Sequence, residues 1–435
     1  MSSEVTELPL EECLDALIDY RGKTPEKTDS GIPLITAKII KGGRIEKPTE
    51  FIAVENYDAW MRRGLPKSGD VVLTVEAPLG EVAQLGNEKI ALAQRVVTLR
   101  GKAGVLDSTY LLYLLQSEEM QSKLKARATG TTVLGIKQSE LRKVLVTLPP
   151  FDQQIGAASV LKALDDRITL LRENNATLES IAQALFKSWF VDFDPVHAKQ
   201  EGRVPEGMDE PTAALFPDSF EESELGLVPQ GWKIKPLGDV VESVGGGTPD
   251  TKEPAYWECG VHCWTTPKDL SGLSAPVLLT TERKLTTKGL AKVSSGLLPA
   301  GSLLLSSRAP IGYLAITQVP MAINQGYIAM LPVSTLPPLY MLFWCQQNME
   351  IIKGRANGST FMEISKKAFR PIPALVPSTQ VIDLFVTVAG ALFDRLVENE
   401  KQAQTLATLR DTLLPRLISG QLHLPEAEAM IEVAV

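Results

Sequence analysis

Cysteine and aromatic residues are scarce in this sequence, and no apolar run is long enough to cross a membrane. Only 4 cysteines occur in 435 residues, and aromatic residues make up 6% of the chain. Cysteines so few and scattered do not make a disulfide framework, which favours a reducing compartment. The acidic amino-terminal stretch lacks the basic and apolar regions of a signal peptide, and no run reaches the roughly 20 apolar residues of a membrane helix. We therefore expect a cytoplasmic protein without a membrane segment.

The chain also has fewer basic than acidic residues. The chain has 44 Lys and Arg against 52 Asp and Glu, a net charge of -8. Taken over the whole chain, this balance argues against a protein that binds nucleic-acid phosphates. The length and the 44% hydrophobic content are those of a globular protein too long for a single core, so several domains are expected.

An internal repeat divides the chain into two halves, which match at a shift of roughly 230 residues. The clearest matches pair 77–80 (APLG) with 309–312 (APIG), 91–94 (ALAQ) with 322–325 (AINQ), and 130–132 (GTT) with 358–360 (GST). Further matches follow in the same order along both halves, which indicates a duplicated fold.

Each half has a β-rich part followed by a long helical pattern. Residues 1–150 and 231–376 contain short alternating or β-branched runs punctuated by Gly and Pro, typical of α+β domains. Long helices are predicted within 151–193 and 377–435, where apolar residues recur at steps of three and four. Segment 194–230 has 5 prolines and no long periodic run, which predicts an extended, partly ordered linker.

The apolar seam of each long helix is typical of a coiled coil and contains one Asn, a polar choice that sets register at a cost in stability. A helix of about 35 residues is roughly 50 Å long, more than a neighbouring domain needs. We therefore favour an antiparallel pair holding two globular domains apart over two helices that each pack on their own domain. Pro415 is expected to break or kink the second helix. The predicted contact residues of the pair are Leu164, Ile168, Leu171, Asn175, Leu178, Leu392, Leu396, Asn399 and Leu406.

Charge is distributed unevenly along these segments. Residues 1–150 hold 20 basic and 20 acidic side chains, and 231–376 hold 14 and 9. Residues 151–230 hold 6 basic and 15 acidic side chains, and 377–435 hold 4 and 8. Nucleic-acid binding is therefore expected only on the two globular domains, whereas the acidic helices and linker suit protein partners.

The sequence lacks the common catalytic and metal-binding patterns. The string 130–137 has Ile136 where a P-loop requires Lys, and 245–248 (GGGT) lacks dinucleotide-loop spacing and indicates a tight turn. Cys259, His262 and Cys263 offer three soft ligands, one fewer than a structural zinc site uses, so a loop with a buried thiol is favoured. The string 148–151 (LPPF) has Leu where an amino-methyltransferase motif requires a polar acceptor. These absences favour recognition over catalysis, with no catalytic residue and no metal ligand assigned.

Particular strings, together with the doubled plan, give the chain a resemblance to a known family. They are 130–141 (GTTVLGIKQSEL), 187–195 (KSWFVDFDP), 216–220 (FPDSF), 223–232 (SELGLVPQGW) and 413–422 (LLPRLISGQL). From about residue 8 to residue 424, the chain resembles the specificity (S) subunits of type I restriction-modification systems. The stretch from Phe-Asp-Pro to Gly-Trp is the most specific part of this resemblance.

This resemblance implies two target-recognition domains, each reading one half of a bipartite site in double-stranded DNA. The two helices would form the spacer in a pseudo-twofold, circular organisation, and would dock two methyltransferase (M) subunits, which restriction (R) subunits join. It further implies that the S subunit has no active site, and that AdoMet, ATP and Mg2+ are bound by its partners. The strong divergence of the two globular halves would then mean an asymmetric target.

Base readout requires paired donors and acceptors, typically Arg or Lys on guanine and Asn or Gln on adenine, while hydroxyls serve phosphates. The candidates in the first domain are Arg21, Lys23, Lys38, Lys41, Arg44, Gln94, Arg95, Thr131, Thr132 and Lys137. Those in the second are Thr265, Thr266, Lys268, Arg308, Asn324, Gln325, Ser359, Thr360, Lys366 and Lys367. For each, the alternative is a solvated charge or a turn-capping side chain. Gln94 and Gln325 occupy the same position of the repeat, which favours a shared structural role over sequence-specific readout.

Two other functions remain open at this point. One is a self-contained DNA-modification enzyme, and the other is a two-lobed structural adaptor that binds no DNA. If the chain does read a bipartite site, two domains about one helical turn apart on one face of the duplex leave an uncontacted spacer of about 5–8 base pairs.

Overall fold

The computed structural model describes residues 6–22, 24–130, 132–358, 362–422 and 424–434. The chain forms two compact units, the first comprising Met1–Thr169 with Gln404–Val435 and the second Leu170–Ala403. Each unit therefore combines one β-rich half with parts of both long helices. In the portion described, no helix is both long and apolar enough to cross a membrane.

The first unit is built from short strands and helices that precede the first long helix. Its strands are β1 (Thr6–Pro9), β2 (Leu14–Asp19), β3 (Ile32–Ile35), β4 (Ile40–Lys41), β5 (Arg44–Ile45), β6 (Phe51–Ile52), β7 (Val71–Val75), β8 (Leu79–Gln84), β9 (Ala91–Leu92), β10 (Val96–Gly101) and β11 (Leu145–Leu148). Its helices are α1 (Tyr57–Trp60), α2 (Ser108–Gln116), α3 (Glu118–Ala126) and α4 (Gln138–Arg142). The main sheet is antiparallel in the order β2-β10-β7-β8, and a smaller sheet has the order β6-β3-β9. Strand β7 is buried at every position because its Val-rich run fits a covered sheet interior.

The long helices are α5 (Phe151–Phe190) and α14 (Thr379–Ile418). The second unit also contains α6 (Asp194–Gln200), α7 (Glu210–Ala214), α8 (Leu237–Val240), α9 (Pro267–Leu270), α10 (Thr287–Leu290), α11 (Pro338–Gln347), α12 (Met349–Gly354) and α13 (Lys366–Phe369), while α15 (Leu424–Ala434) belongs to the first. The strands of the second unit are β12 (Phe220–Ser223), β13 (Gly226–Pro229), β14 (Lys233–Pro236), β15 (Ser243–Val244), β16 (His262–Thr265), β17 (Val277–Leu278), β18 (Lys284–Leu285), β19 (Leu303–Ser307), β20 (Ile311–Thr317), β21 (Met321–Ile323), β22 (Tyr327–Met330) and β23 (Pro373–Val376). The sheets have the orders β15-β22-β19-β20-β17 and β18-β16-β21.

The internal repeat reappears as the same arrangement inside each unit. A parallel pair lies in each small sheet, β3 with β9 and β16 with β21. The antiparallel pairs β7-β8 and β19-β20 both carry a register shift, and cis peptide bonds precede both Pro78 and Pro310. The predicted α+β class, with two β-rich domains related by a repeat, is confirmed.

The long helices contact each other within each unit. In the second unit, the Asn399 side-chain amide donates to Asn175 Oδ1 at 3.0 Å, and Leu178 packs against the cluster that contains Leu396 and Val397. Because the residue numbers rise on one helix and fall on the other, the contact is antiparallel. Of the predicted seam, Leu178 and Leu392 are half-buried, and the others are buried, namely Leu164, Ile168, Leu171, Asn175, Leu396, Asn399 and Leu406.

Two local predictions are wrong, namely a break of the second long helix at Pro415 and an extended linker at 194–230. Helix α14 continues through Pro415 to Ile418, because a proline in the last turn removes only one helical hydrogen bond, and the Ser419 amide still donates to the Pro415 carbonyl at 3.1 Å. Segment 194–230 is folded into α6, α7 and the β12-β13 hairpin instead of being extended.

Prolines in that segment begin helices instead of keeping the chain extended. Pro195 and Pro211 lie in the first turns of α6 and α7, where a missing amide proton costs nothing. The Asp209 side chain caps α7 by accepting from the Thr212 amide at 2.9 Å. Buried Phe216 belongs to the core of the second unit, so this segment is part of a folded unit.

In the first unit, a charged pair links the two long helices. Arg410 Nη1 lies 2.6 Å from Asp165 Oδ1, and the Tyr113 hydroxyl donates to Asp165 Oδ2 at 2.8 Å. Burial and the nearby Asp165 charge both raise the pKa of Tyr113, so the hydroxyl remains a donor. Asp165 thus accepts from both Arg410 and Tyr113, which joins α14, α5 and α2 in one polar network.

We expect Arg410→Ala to destabilise the first unit by about 1–3 kcal/mol, because it leaves a mostly buried carboxylate without its cation. Urea unfolding followed by circular dichroism measures the effect. Arg395→Ala, at an exposed position of the same helix, is the matched control and should leave the unfolding midpoint unchanged. Equal midpoints for both variants would contradict a stabilising role for the pair.

Candidate nucleic-acid interface

Most of the polar candidates in the first unit lie at its surface. Lys23 and Thr131 lie outside the described residues. The exposed candidates are Lys38, Lys41, Arg95, Thr132 and Lys137, and the half-exposed ones are Arg21, Arg44 and Gln94.

Several of these cations have partners within the protein. Arg21 Nε lies 2.9 Å from Asp19 Oδ2, and its Nη1 donates to the Ile136 carbonyl at 2.8 Å. Lys41 Nζ lies 2.9 Å from Glu46, and the Lys38 and Glu50 side chains are 3.9 Å apart. Arg21 thus serves the fold, while the exposed lysines form solvent-screened pairs that an approaching phosphate could replace.

The candidates of the second unit divide into surface and internal groups. Ser359 and Thr360 lie outside the described residues. Exposed candidates are Lys268, Gln325 and Lys367, the half-exposed ones are Thr266, Arg308, Asn324 and Lys366, and Thr265 is buried.

Burial excludes the Thr265 side chain from a surface contact, so this candidate is corrected. Its hydroxyl lies 3.0 Å from the Tyr327 hydroxyl and has no exposed area. Thr266 caps α9 in a reciprocal box with Asp269, and Asn324 Oδ1 accepts from the Gly326 amide at 2.8 Å. These short polar side chains occupy strand ends, where they satisfy backbone groups that turns leave unpaired.

Gln325 is different, because it extends from its turn to another loop at the surface. Its Oε1 accepts from the Thr248 hydroxyl at 2.6 Å, and the residue is exposed, so its side-chain NH2 group is available as a donor. Arg308 is partly neutralised by Glu363, whose carboxylate lies 3.5 Å away.

Sequence reasoning missed an aromatic corner next to these residues, formed by Trp257 and Trp264. The two rings meet edge to face, with centroids 5.0 Å apart and planes at 81°. The guanidinium of exposed Arg283 lies 3.8 Å from the Trp257 ring centroid. The two tryptophans, out of only 6 in the chain, could have indicated this site. Their contact with Arg283 could not be predicted, because the residues are far apart in the sequence.

The Cys259, Cys263 and His262 cluster does not form a metal site. No group of three or more His, Cys, Asp or Glu side chains placed to hold a metal occurs among the described residues. The expected buried thiol is also absent from this loop, because Cys259 is exposed and Cys263 is half-buried. His262 Nε2 instead lies 3.3 Å from the Thr287 hydroxyl.

Comparisons with known proteins agree with the repeat. A family model described as the type I restriction modification DNA specificity domain matches residues 17–180 and 229–389. The chain is 26% identical over 403 residues to the type I restriction enzyme HindI specificity subunit of Haemophilus influenzae, covering 82% of this chain and 87% of the relative. It is also 26% identical over 368 residues to the MjaIX specificity subunit of Methanocaldococcus jannaschii, covering 84% and 80% respectively.

A solved structure has a similar fold. The S subunit of a type I restriction-modification system from M. genitalium aligns over 96% of each chain, with a TM-score of 0.55 and 18% identity. At this identity the likeness concerns the fold alone.

We expect Thr265→Val to lower the stability of the second unit by about 1 kcal/mol, because it leaves the buried Tyr327 hydroxyl without its partner. Urea unfolding tests this, with Thr265→Val/Tyr327→Phe as the variant that removes both partners and recovers part of the loss. The single variant should retain wild-type affinity for duplex DNA. Weaker DNA binding at unchanged stability would restore Thr265 as a contact residue.

Proposed function

Because this chain belongs to the type I restriction modification DNA specificity family, we propose that it recognises the DNA sequence on which such a system acts. The observation that carries the proposal is the double match at 17–180 and 229–389. Each match takes in a β-rich domain together with residues of the long helix that follows it.

We propose that each β-rich domain reads one part of a bipartite, asymmetric site in double-stranded DNA. Charge supports this assignment, because residues 231–376 hold 14 basic against 9 acidic side chains and 1–150 are neutral. The two domains share a fold but differ in their exposed side chains, and base readout depends on those side chains.

The long helices are the proposed spacer and docking surface. At 40 residues each, they are roughly 60 Å long. Their segments and the connector are acidic, with 6 basic against 15 acidic side chains in 151–230 and 4 against 8 in 377–435. Such charge repels DNA and suits basic protein surfaces. Two methyltransferase subunits are the proposed partners here, and restriction subunits join that complex.

Catalysis belongs to those partners in this proposal. The chain itself would perform no catalytic step, and AdoMet, ATP and Mg2+ would be bound by the methyltransferase and restriction subunits. The complex acts in the cytoplasm, where it meets the DNA.

Footprinting on duplex DNA tests the central claim. The full chain, purified with the subunits that accompany it, should protect two patches separated by about 5–8 base pairs. Binding should weaken steeply as salt rises, because phosphate contacts release counterions. Absence of any sequence-dependent protection would favour the structural adaptor, and methyl transfer from AdoMet by the chain alone would favour the modification enzyme.

Helix length should set the gap between the two patches. Inserting one heptad at matched positions of α5 and α14 lengthens the pair by about 10 Å. The uncontacted gap should grow by roughly three base pairs, at 3.4 Å per base pair. As a control, seven Gly and Ser residues inserted in the exposed 201–203 turn between α6 and α7 should leave the gap unchanged. Methylation sequencing in cells measures both, and an unchanged gap after the heptad insertion would refute the spacer role.

A further inference from the structure

We propose that Arg283 is a guanine-reading residue of the second unit, held in position by the aromatic corner of Trp257 and Trp264. This inference rests on the proposed DNA recognition and specifies one of its contacts. The ligand is the major-groove edge of a guanine in double-stranded DNA.

The corner is a fixed surface, because both indoles are anchored. Trp257 Nε1 donates to the Asp250 carbonyl at 2.9 Å, and Trp264 Nε1 donates to the Gly247 carbonyl at 3.1 Å. The same loop continues to Thr248, whose hydroxyl donates to Gln325. Arg283 and the exposed Gln325 amide therefore border one loop, and these two side-chain types are suited to reading guanine and adenine.

Stacking orients Arg283 without using its hydrogen bonds. The guanidinium lies 3.8 Å from the Trp257 ring centroid and 5.0 Å from that of Trp264. It is exposed, and within the described residues its nitrogens make no hydrogen bond or ion pair. A planar guanidinium held by a ring presents a ready fork of donors, and guanine O6 and N7 are the acceptors that such a fork matches.

The repeat shows that the fold does not require arginine at this position. The Trp264 amide donates to the Arg283 carbonyl at 3.1 Å, and in the first unit the Leu34 amide donates to the Glu50 carbonyl at 2.9 Å. Both bonds join the middle strand of the small sheet to the residue immediately before the edge strand, β6 in the first unit and β18 in the second. The fold thus needs only the backbone here, and the side chain is open to a role in recognition.

Charge at the same edge differs between the units. In the first unit, Glu50 lies 2.8 Å from Lys27 and 3.9 Å from Lys38, so the cations there are balanced. The repeat counterparts of Lys38 and Glu50 are Lys268 and Arg283, both cationic. Neither has an acidic partner in the described part of the chain. Uncompensated positive charge suits an electronegative guanine edge and the neighbouring phosphates.

Selection from a randomised duplex library tests the proposal, with the full chain and its co-purifying subunits. The wild-type site should contain a guanine that Arg283→Ala no longer requires, while the remaining positions stay specified. Affinity of Arg283→Ala for the wild-type site should fall roughly 10- to 100-fold. Arg283→Lys keeps the charge but lacks the planar fork, so its guanine preference should be weaker than that of the wild type but not lost. Lys284→Ala, which removes the adjacent exposed charge, should weaken binding without changing base preference.

A base analogue makes the test independent of folding. Replacing that guanine by 7-deazaguanine removes N7, which should weaken wild-type binding several-fold and leave Arg283→Ala unaffected. If the alanine variant fails to fold, the same comparison is made with Arg283→Lys, whose loss of affinity for the analogue should be smaller than that of the wild type. Unchanged base preferences in the variants, with a selective wild type, would overturn the role of Arg283 alone. A wild type that enriches no sequence would instead overturn the proposed function.

Discussion

Packing of the long helices against the β-rich halves is the interaction on which each unit depends. In the second unit, Phe385 of α14 lies at the centre of a ring cluster with centroid distances of 5.2–6.1 Å. Its neighbours are Phe186, Trp189, Phe190, Tyr340 and Phe343. In the first unit, Tyr110 occupies the repeat position of Tyr340, and its hydroxyl donates to the Ile418 carbonyl of α14 at 2.9 Å. Both helices are thus part of the core of each unit, and neither unit is complete with one helix.

A shared backbone with divergent side chains is the second theme of the structure. The bonds from Leu34 to Glu50 and from Trp264 to Arg283 are the same main-chain contact in two domains. Main-chain hydrogen bonds tolerate any side chain that leaves the sheet edge free. A duplicated domain can therefore keep its fold while its exposed residues change, which suits the proposed reading of different sequences by the two halves.

Much of the fold followed from sequence periodicity, and the errors have local causes. Steps of three and four predicted α5 and α14 because a long amphipathic pattern admits few other structures. The prolines of 194–230 were interpreted as marks of an extended chain, whereas Pro195 and Pro211 begin helices. For single residues, Thr265 could not be distinguished from a surface hydroxyl, since its burial depends on Tyr327, which is distant in sequence.

The sequence by itself determined the duplication, the α+β class, the long helices and the family resemblance, because each depends on local pattern or on strings of residues. Tertiary structure decided which polar side chains remain available at the surface. Thr266 and Asn324 are used by their own turns, whereas Arg283 is exposed and its guanidinium lies over the Trp257 ring. That difference comes from contacts between residues far apart in the chain, which the periodicity of the sequence does not predict.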